Sequence, residues 1–269
     1  MIARRELPAG HVAWNRKWGA PFGNRWPRRL RRIPMIGEWA GRTLPEWAPS
    51  ALGPFGFQPN SVVRTAEYPW AFEAGRLSPG LHVLDIGGGC GGFQFVAAKG
   101  GCHVVNVDPG MEANGRGWPV DAATIAKLNR AFGTDVVLHN CFLAQAPVAP
   151  ASFDRVFSLS VIEHIPRDEV AGIMESVYGL LKPGGLCVIT LDLFLNLRPF
   201  CSRETNEFGT YIPARTLVEA APFELVAGDR RELSGFPEFS TDDILSRLDE
   251  FFVGDYPALA QLMVLKKPG

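Results

Sequence analysis

Long apolar runs are absent from the sequence. None of its 269 residues belongs to an apolar run near the roughly 18 to 20 residues that a membrane-spanning helix needs. The first residues lead into charged and Pro/Gly-rich sequence, so we expect no secretory signal peptide there. The 5 cysteines contain no C-x-x-C pair, which argues against a zinc ribbon or a disulfide framework. We therefore expect a cytoplasmic protein without a membrane span.

Charge is balanced overall but not along the chain. Apolar residues make up 46% of the chain and charged residues 20%. This apolar content is enough to form a sizeable core, so we do not expect the whole chain to be disordered. The net charge is −1, yet residues 1–60 carry ten Lys/Arg against three Glu. The run Arg25–Arg32, with tryptophans around it, suits phosphate, anionic lipid or an acidic substrate, or else forms a solvated face. We interpret residues 1–60 as a basic, Trp-rich arm or lid and residues 61–269 as the main domain.

Apolar strands alternate with helical stretches after residue 61, which is typical of a parallel sheet covered on both faces. A helix is predicted over 62–77, which Pro69 must end or kink. Residues 192–213 are predicted to form a loop, and residues 240–252 an amphipathic helix. The predicted strands cover residues 81–86, 103–107, 136–139, 153–160, 186–191, 223–228 and 261–266.

The most informative stretch is the glycine-dense turn after the first of these strands, Val83-Leu-Asp-Ile-Gly-Gly-Gly-Cys-Gly-Gly92. Such a turn lets the backbone approach a ligand closely and presents helix N-terminal amides. It also satisfies the G-x-G-x-x-G dinucleotide pattern, so the turn alone leaves a nicotinamide cofactor open. Asp85, two residues before the first glycine, repels a pyrophosphate and suits a cationic ligand. Asp108 ends the next strand, where a carboxylate can take both hydroxyls of a ribose.

At these residues the chain resembles the class I S-adenosylmethionine-dependent methyltransferases, whose first motif is an acid followed by G-x-G-x-G. The resemblance covers roughly residues 62–268 and is strengthened by the order of three later motifs: Phe153-Asp-Arg-Val, Val161-Ile-Glu-His164 and Leu181-Lys-Pro-Gly-Gly185. It implies an α/β fold with a Rossmann-like, seven-stranded, mostly parallel sheet, a last antiparallel strand, and helices on both faces. It also implies S-adenosylmethionine as the cofactor.

The resemblance implies a cofactor site residue by residue. Asp108, followed by Pro109, would hold the ribose hydroxyls. Arg64 would bind the cofactor carboxylate, unless it is an ordinary surface arginine. The family's adenine-binding acid is missing here, and either Asn140 or backbone groups would replace it, with Cys141 beside Asn140 and Phe142 able to stack on the ring. The residues expected along the methionine, ribose and methyl group are Asp85, Gly87, Gly89, Gly91, Ser158 and Leu159.

His164 is the best candidate for a catalytic base, because it follows the fourth strand at the mouth of the predicted site. The alternative is a local structural role at a helix start. Some relatives place a metal-binding Glu-x-x-Glu-His here, but Ser160 occupies the first acidic position, so we expect no metal.

The acceptor is left open by the sequence. Ser158-Leu-Ser-Val161 is not the Asp/Asn-Pro-Pro-aromatic motif of amino-methylating DNA enzymes. We expect a small-molecule acceptor methylated at O or N, such as a natural product, sugar or glycan precursor, bound beside the polar loop 192–213. The alternatives are a methyltransferase acting on nucleic acid or protein, an NAD-dependent oxidoreductase using the same glycine turn, and a non-catalytic cofactor-binding subunit. The sequence predicts no particular oligomeric state.

Overall fold

The computed structural model describes residues 2–3, 7–24, 48–58, 60–113, 119–233, 235, 240–253 and 255–269. The basic run Arg25–Arg32 lies outside the described residues. In the described part, the helices are α1 (Ala9–Trp18), α2 (Ala48–Leu52), α3 (Arg64–Ala74), α4 (Gly92–Lys99), α5 (Ala122–Phe132), α6 (Arg167–Leu180), α7 (Ala214–Glu219) and α8 (Thr241–Ser246). The strands are β1 (Ile2–Ala3), β2 (His82–Ile86), β3 (His103–Val107), β4 (Val137–His139), β5 (Phe153–Leu159), β6 (Leu181–Phe194), β7 (Glu224–Ala227), β8 (Phe252–Val253) and β9 (Tyr256–Lys266).

The strands form one mixed sheet in the order β1-β9-β6-β5-β2-β3-β4. The five strands from β6 to β4 pair in parallel. β9 runs antiparallel to β6 and also holds β1, β7 and β8 as antiparallel partners. The predicted Rossmann-like sheet with an antiparallel last strand is confirmed.

The core lies on both faces of this sheet, because successive residues of each central strand point to opposite sides. Val83 and Phe157 pack with α4 and the aromatic residues before it. Leu84 and Val156, one position away on the same strands, pack with α6 and α7. All four side chains are at most 1% exposed. This two-sided burial explains why the strands are nearly continuous apolar runs in the sequence.

Several predicted boundaries were wrong. The strand predicted over 186–191 extends to Phe194, so the loop begins later than residue 192, and the strand predicted over 261–266 begins at Tyr256. Both strands are longer because they pair with each other from Leu186 opposite Lys266 to Phe194 opposite Ala258. The helix predicted over 240–252 ends at Ser246, and Phe252–Val253 pairs with the start of β9 instead.

Helix α3 continues through Pro69 to Ala74, where the sequence predicted an end or a kink. Proline has no backbone N–H, so Pro69 leaves the carbonyl of Thr65 without its helical donor. The buried side chain of Asn15 on α1 fills this place, since its Nδ2 donates to the Thr65 carbonyl oxygen at 2.7 Å. A residue 50 positions upstream therefore satisfies the backbone of this helix.

We expect Asn15→Leu to lower the free energy of unfolding by about 1–3 kcal/mol, because it leaves a buried carbonyl without a donor. Pro69→Ala restores the backbone N–H four residues after Thr65. The Asn15 replacement should therefore cost much less in a Pro69→Ala background. Denaturant unfolding of the four proteins of this double-mutant cycle measures the coupling. An equal cost in both backgrounds would show that Asn15 acts only through packing.

Candidate functional site

A cavity of about 740 Å³ lies at the carboxyl edge of the parallel strands. Its wall takes residues from the ends of β2, β3 and β5 and from the carboxyl-terminal part of β6, including Gly87, Asp108, Ser160 and Asp192. The carboxyl edge is the usual ligand site of open α/β sheets, and the volume lies within the range of about 300–1,000 Å³ for ligand pockets.

Two buried side-chain amides donate hydrogen bonds to the backbone of the glycine turn. Gln94 Nε2 donates to the carbonyl oxygens of Gly89 at 3.0 Å and Gly91 at 3.1 Å. Asn106 Nδ2 donates to the Gly89 carbonyl at 3.0 Å and to Gln94 Oε1 at 2.9 Å. Both side chains are fully buried. The turn is thus anchored through its carbonyl oxygens by side chains on α4 and β3.

Asp108 is bound by backbone donors on two sides. Its Oδ2 accepts from the amide of Gly89 at 2.7 Å, and its Oδ1 accepts from the amide of Gly110 at 2.6 Å. Burial raises the pKa of Asp108, although these two donors act to lower it. Each oxygen keeps a second lone pair, so the carboxylate is fixed in place and can still accept hydrogen bonds from a ligand.

Asp85 lies behind the glycine turn rather than on the cavity wall. Its side chain is 4% exposed, and its Oδ2 would be 2.7 Å from a Cβ added at Gly88. Burial, followed by the charge of Asp108, raises the pKa of Asp85 to about 8. This carboxyl is therefore largely protonated near neutral pH.

The cavity wall holds about half of the residues that the sequence predicted for the site: Arg64, Gly87, Asp108, Pro109, Phe142, Leu159 and His164. The others lie off that wall: Asp85, Gly89, Gly91, Asn140, Cys141 and Ser158. Asn140 supports the site indirectly, since its Nδ2 donates to the backbone carbonyl of Asp108 at 2.8 Å. Gln58 lines the cavity, and its side chain lies close to the position that a Cβ added at Gly89 would take. The binding role of each predicted residue remains a prediction.

Beside the cavity, and sharing Arg64 and Asp192 with its wall, is a group that we call the buried acid cluster, consisting of Arg64, Glu67, Glu163 and Asp192. Arg64 donates to Glu67 Oε2 and lies 3.4 Å from Asp192 Oδ1. The backbone amide of Asp192 donates to Glu163 Oε1 at 2.9 Å, and the Ser160 hydroxyl donates to the same oxygen. The sequence predicted Arg64 as a partner of the cofactor carboxylate, whereas here its guanidinium contacts two carboxylates of the chain.

The cluster holds three carboxyl groups against one guanidinium, and Glu67 and Glu163 are fully buried. Burial raises the pKa of Glu67 to about 7, although Arg64 acts to lower it. Burial and the charge of Asp192 raise the pKa of Glu163 to about 7. Among the described residues, Glu67 Oε1 and Glu163 Oε2 have no hydrogen-bond partner. The cluster can therefore take up or release a proton near neutral pH.

Sequence reasoning missed several residues that contribute to the site. Tyr256 donates its hydroxyl to Asp192 Oδ2 at 3.1 Å, and its ring centroid lies 4.3 Å from that of Phe208. Gln58 was missed as well, since it comes from the N-terminal region. Distance along the chain hides these contacts. A polar residue inside an otherwise apolar element, such as Asn106 in His103–Val107, is a signal that the sequence does contain.

The described part of the chain contains no group of three or more His, Cys, Asp or Glu side chains placed to hold a metal ion. The described helices are also each too short or too polar to cross a bilayer. Within residues 192–213, beside which the acceptor was predicted to bind, Asp192 is on the cavity wall, while Arg198 Nη1 lies 3.3 Å from Glu204 Oε1.

Comparison with known proteins agrees with this geometry. Residues 64–227 match a family described as "Methyltransferase domain". The chain is 28% identical over 188 residues to phosphoethanolamine N-methyltransferase 2 of Caenorhabditis elegans, covering 70% of this chain and 39% of that protein. It is 31% identical over 162 residues to the ubiquinone biosynthesis O-methyltransferase of Psychrobacter arcticus, covering 58% of this chain and 59% of that protein. A solved S-adenosylmethionine-dependent methyltransferase of Mesorhizobium loti has the same fold, with a TM-score of 0.51, 18% identity, and coverage of 75% of this chain and 97% of that one.

The chain belongs to the methyltransferase-domain family, because the match covers more than half of its length. The resemblance to the class I S-adenosylmethionine-dependent methyltransferases is thereby confirmed, and S-adenosylmethionine is the cofactor of that class. The chain spans about half the length of the curated relatives that it matches. The acceptor and the methylated atom are therefore matters for proposal.

Proposed function

We propose that this protein transfers a methyl group from S-adenosylmethionine to oxygen or nitrogen of a small-molecule acceptor, such as a natural product, sugar or glycan precursor. The observation that carries the proposal is one cavity wall that holds Gly87 and Asp108 together with His164, Ser160 and Asp192. The first two residues suit the cofactor, and the other three suit an acceptor. A cytoplasmic location is part of the same proposal.

The residues present fit the cofactor. The fixed Asp108 carboxylate faces the cavity and suits two ribose hydroxyls, while Phe142, 41% exposed at the wall, can cover the adenine. Gly87, with φ of 69°, brings backbone to the wall without a side chain. When bound, S-adenosylmethionine supplies an activated methyl group on a sulfonium. The task of the chain is then to align the acceptor atom with that methyl and to remove its proton.

His164 is the proposed base for a hydroxyl acceptor. It is half-buried on the cavity wall, and its backbone amide donates to the carbonyl of Val161 at 2.9 Å in the turn after β5. His164 and Ser160 both lie on this wall, so the imidazole would be available to take the proton of an acceptor hydroxyl.

Thermal unfolding with separate additions of S-adenosylhomocysteine, S-adenosylmethionine and NAD tests the cofactor. A ligand at about 100 times its dissociation constant adds about 2.7 kcal/mol of stability, which raises the midpoint by several degrees for a chain of this size. We expect a shift with the first two ligands and none with NAD. A shift with NAD alone would replace the proposal by a nicotinamide-dependent oxidoreductase. Turnover of the cofactor with an acceptor then separates an enzyme from a non-catalytic binding subunit.

A further inference from the structure

We propose that the acceptor is an amine, that Asp192 receives its ammonium group, and that Ser160 passes the ammonium proton to Glu163. The inference rests on the proposed function and names the substrate class of the same cavity. It combines the charge of the cavity wall, the aromatic rings beside Asp192, and the hydrogen-bond path from the cavity to a buried carboxyl group.

The charge of the wall favours a cation. Its described residues include four carboxyl groups, on Asp108, Glu169, Asp192 and Asp255, against the single guanidinium of Arg64. That guanidinium already contacts Glu67 and Asp192. An acceptor carrying phosphate or carboxylate would add negative charge to this surface, whereas an ammonium group would reduce the repulsion between its carboxylates.

The surroundings of Asp192 fit an ammonium group with an apolar body. The Asp192 side chain is 3% exposed, and the residue lies on the cavity wall. The rings of Tyr256 and Phe208 line the cavity next to it, and Tyr68 lines it from α3. Aromatic faces attract cations and pack against apolar groups. Together, the rings and the buried carboxylate favour an amine over an alcohol.

A hydrogen-bond path leads from the cavity to Glu163. Ser160 lies on the wall, and its hydroxyl donates to Glu163 Oε1. Glu163 is fully buried, and its Oε2 has no hydrogen-bond partner among the described residues. Ser160 has a φ of 56°, an uncommon conformation for a residue with a side chain, and its amide is held by the Thr190 carbonyl at 2.8 Å. The backbone therefore holds this hydroxyl between the cavity and the carboxyl group.

Protons and electrons balance in the proposed methyl transfer to the amine. The ammonium gives one proton to Ser160 Oγ as the serine proton moves to Glu163, which becomes a neutral carboxylic acid, and the nitrogen keeps its lone pair. The lone pair then forms a bond to the methyl carbon, and the carbon–sulfur electrons stay on sulfur. The methylated nitrogen carries the positive charge. After product release, Glu163 returns its proton through Ser160 to water.

The first test measures binding by calorimetry with saturating S-adenosylhomocysteine near pH 7. The probes are benzylamine, 2-phenylethylamine and butylamine, each compared with the alcohol of the same length. We expect at least one amine to bind about 10-fold more tightly than its alcohol, and Asp192→Asn to abolish that preference. Asp135→Asn, which changes an exposed carboxylate past α5, is the matched control and should keep the preference.

Every outcome of this binding test is decisive. Binding of S-adenosylhomocysteine without any amine preference, or a preference that persists in Asp192→Asn, overturns the inference and leaves the proposed function standing. No binding of S-adenosylhomocysteine to the unaltered protein overturns both.

The second test follows the proton. The charged and titratable groups facing Glu163 are Arg64 and Glu67 from α3, Asp192 from β6 and Tyr256 from β9, and Ser160 faces it from the end of β5. About one pH unit above the Glu163 pKa of about 7, the carboxyl is ionised before the amine binds. Infrared difference spectra should then show a new protonated-carboxyl band when the amine binds, and no band with the alcohol. Glu163→Gln keeps an oxygen that can accept from Ser160 and from the Asp192 amide, so it should fold and lose the band. A band retained in Glu163→Gln, or absent from the unaltered protein, would remove Glu163 from the path.

Discussion

Replacing Asp108 with alanine is expected to weaken the binding of S-adenosylhomocysteine by about 100-fold, or about 2.7 kcal/mol. The carboxylate is fixed by amides on both sides, from Gly89 at 2.7 Å and Gly110 at 2.6 Å. Charge-assisted hydrogen bonds contribute about 1.5–3 kcal/mol each, and the variant would lose the proposed contacts to the ribose as well as the anchoring of the turn. Titration calorimetry gives the dissociation constant directly.

Asp108→Asn distinguishes the charge from the shape of the side chain. Both carboxylate oxygens accept from backbone N–H groups, so an amide would turn its own donor toward one of them. We therefore expect the asparagine variant to bind nearly as poorly as the alanine variant. Asp135→Asn, an exposed position, should bind as the unaltered protein does. Normal affinity in Asp108→Asn would mean that the carboxylate only fills space beside the glycine turn.

Much of the fold could be predicted because a central strand that is buried on both faces of the sheet is mostly apolar in the sequence. Val83 and Leu84 occupy adjacent positions, and both must be apolar because they pack into cores on opposite sides of the sheet. The same reasoning failed at the ends of β6 and β9. The extra residues Asp192–Phe194 and Ala258–Ala260 pair with each other although they lie more than 60 positions apart along the chain, and local composition does not report such pairing.

The site likewise contains residues whose position could be predicted from the sequence and residues whose position could not. Asp108 and Gly87 follow directly from strands, so their place at the carboxyl edge could be predicted from the sequence. Asp192 and Tyr256 are joined by a hydrogen bond across 64 positions, and Asn15 reaches Thr65 across 50. These contacts depend on how β6 packs with β9 and how α1 packs with α3. No pattern of period 2 or 3.6 contains that information.

Gly87→Ala is expected to lower the free energy of unfolding by about 2–4 kcal/mol. Part of the cost comes from the left-handed conformation of the residue, with φ of 69°, which is unfavourable for a residue with a Cβ by roughly 1–2 kcal/mol. The rest comes from crowding, since the new Cβ would lie 2.6 Å from Val161 Cγ1 and 2.7 Å from Cγ2. Overpacking of this kind costs about 1–3 kcal/mol.

Gly133→Ala separates the two costs, because Gly133 has a similar φ of 63° but open space around its Cβ position. Its variant should lose only the conformational part, as measured by denaturant unfolding. Val161→Ala in the Gly87→Ala background removes both methyl groups that collide and should recover most of the difference between the two glycine variants. Equal losses at Gly87 and Gly133 would contradict the crowding. Because Gly87 and Val161 both lie on the cavity wall, the crowded variant should also bind S-adenosylhomocysteine more weakly, whereas Gly133→Ala should not. These results would show that the glycine at this turn is required by the contact with Val161 as well as by the proposed cofactor.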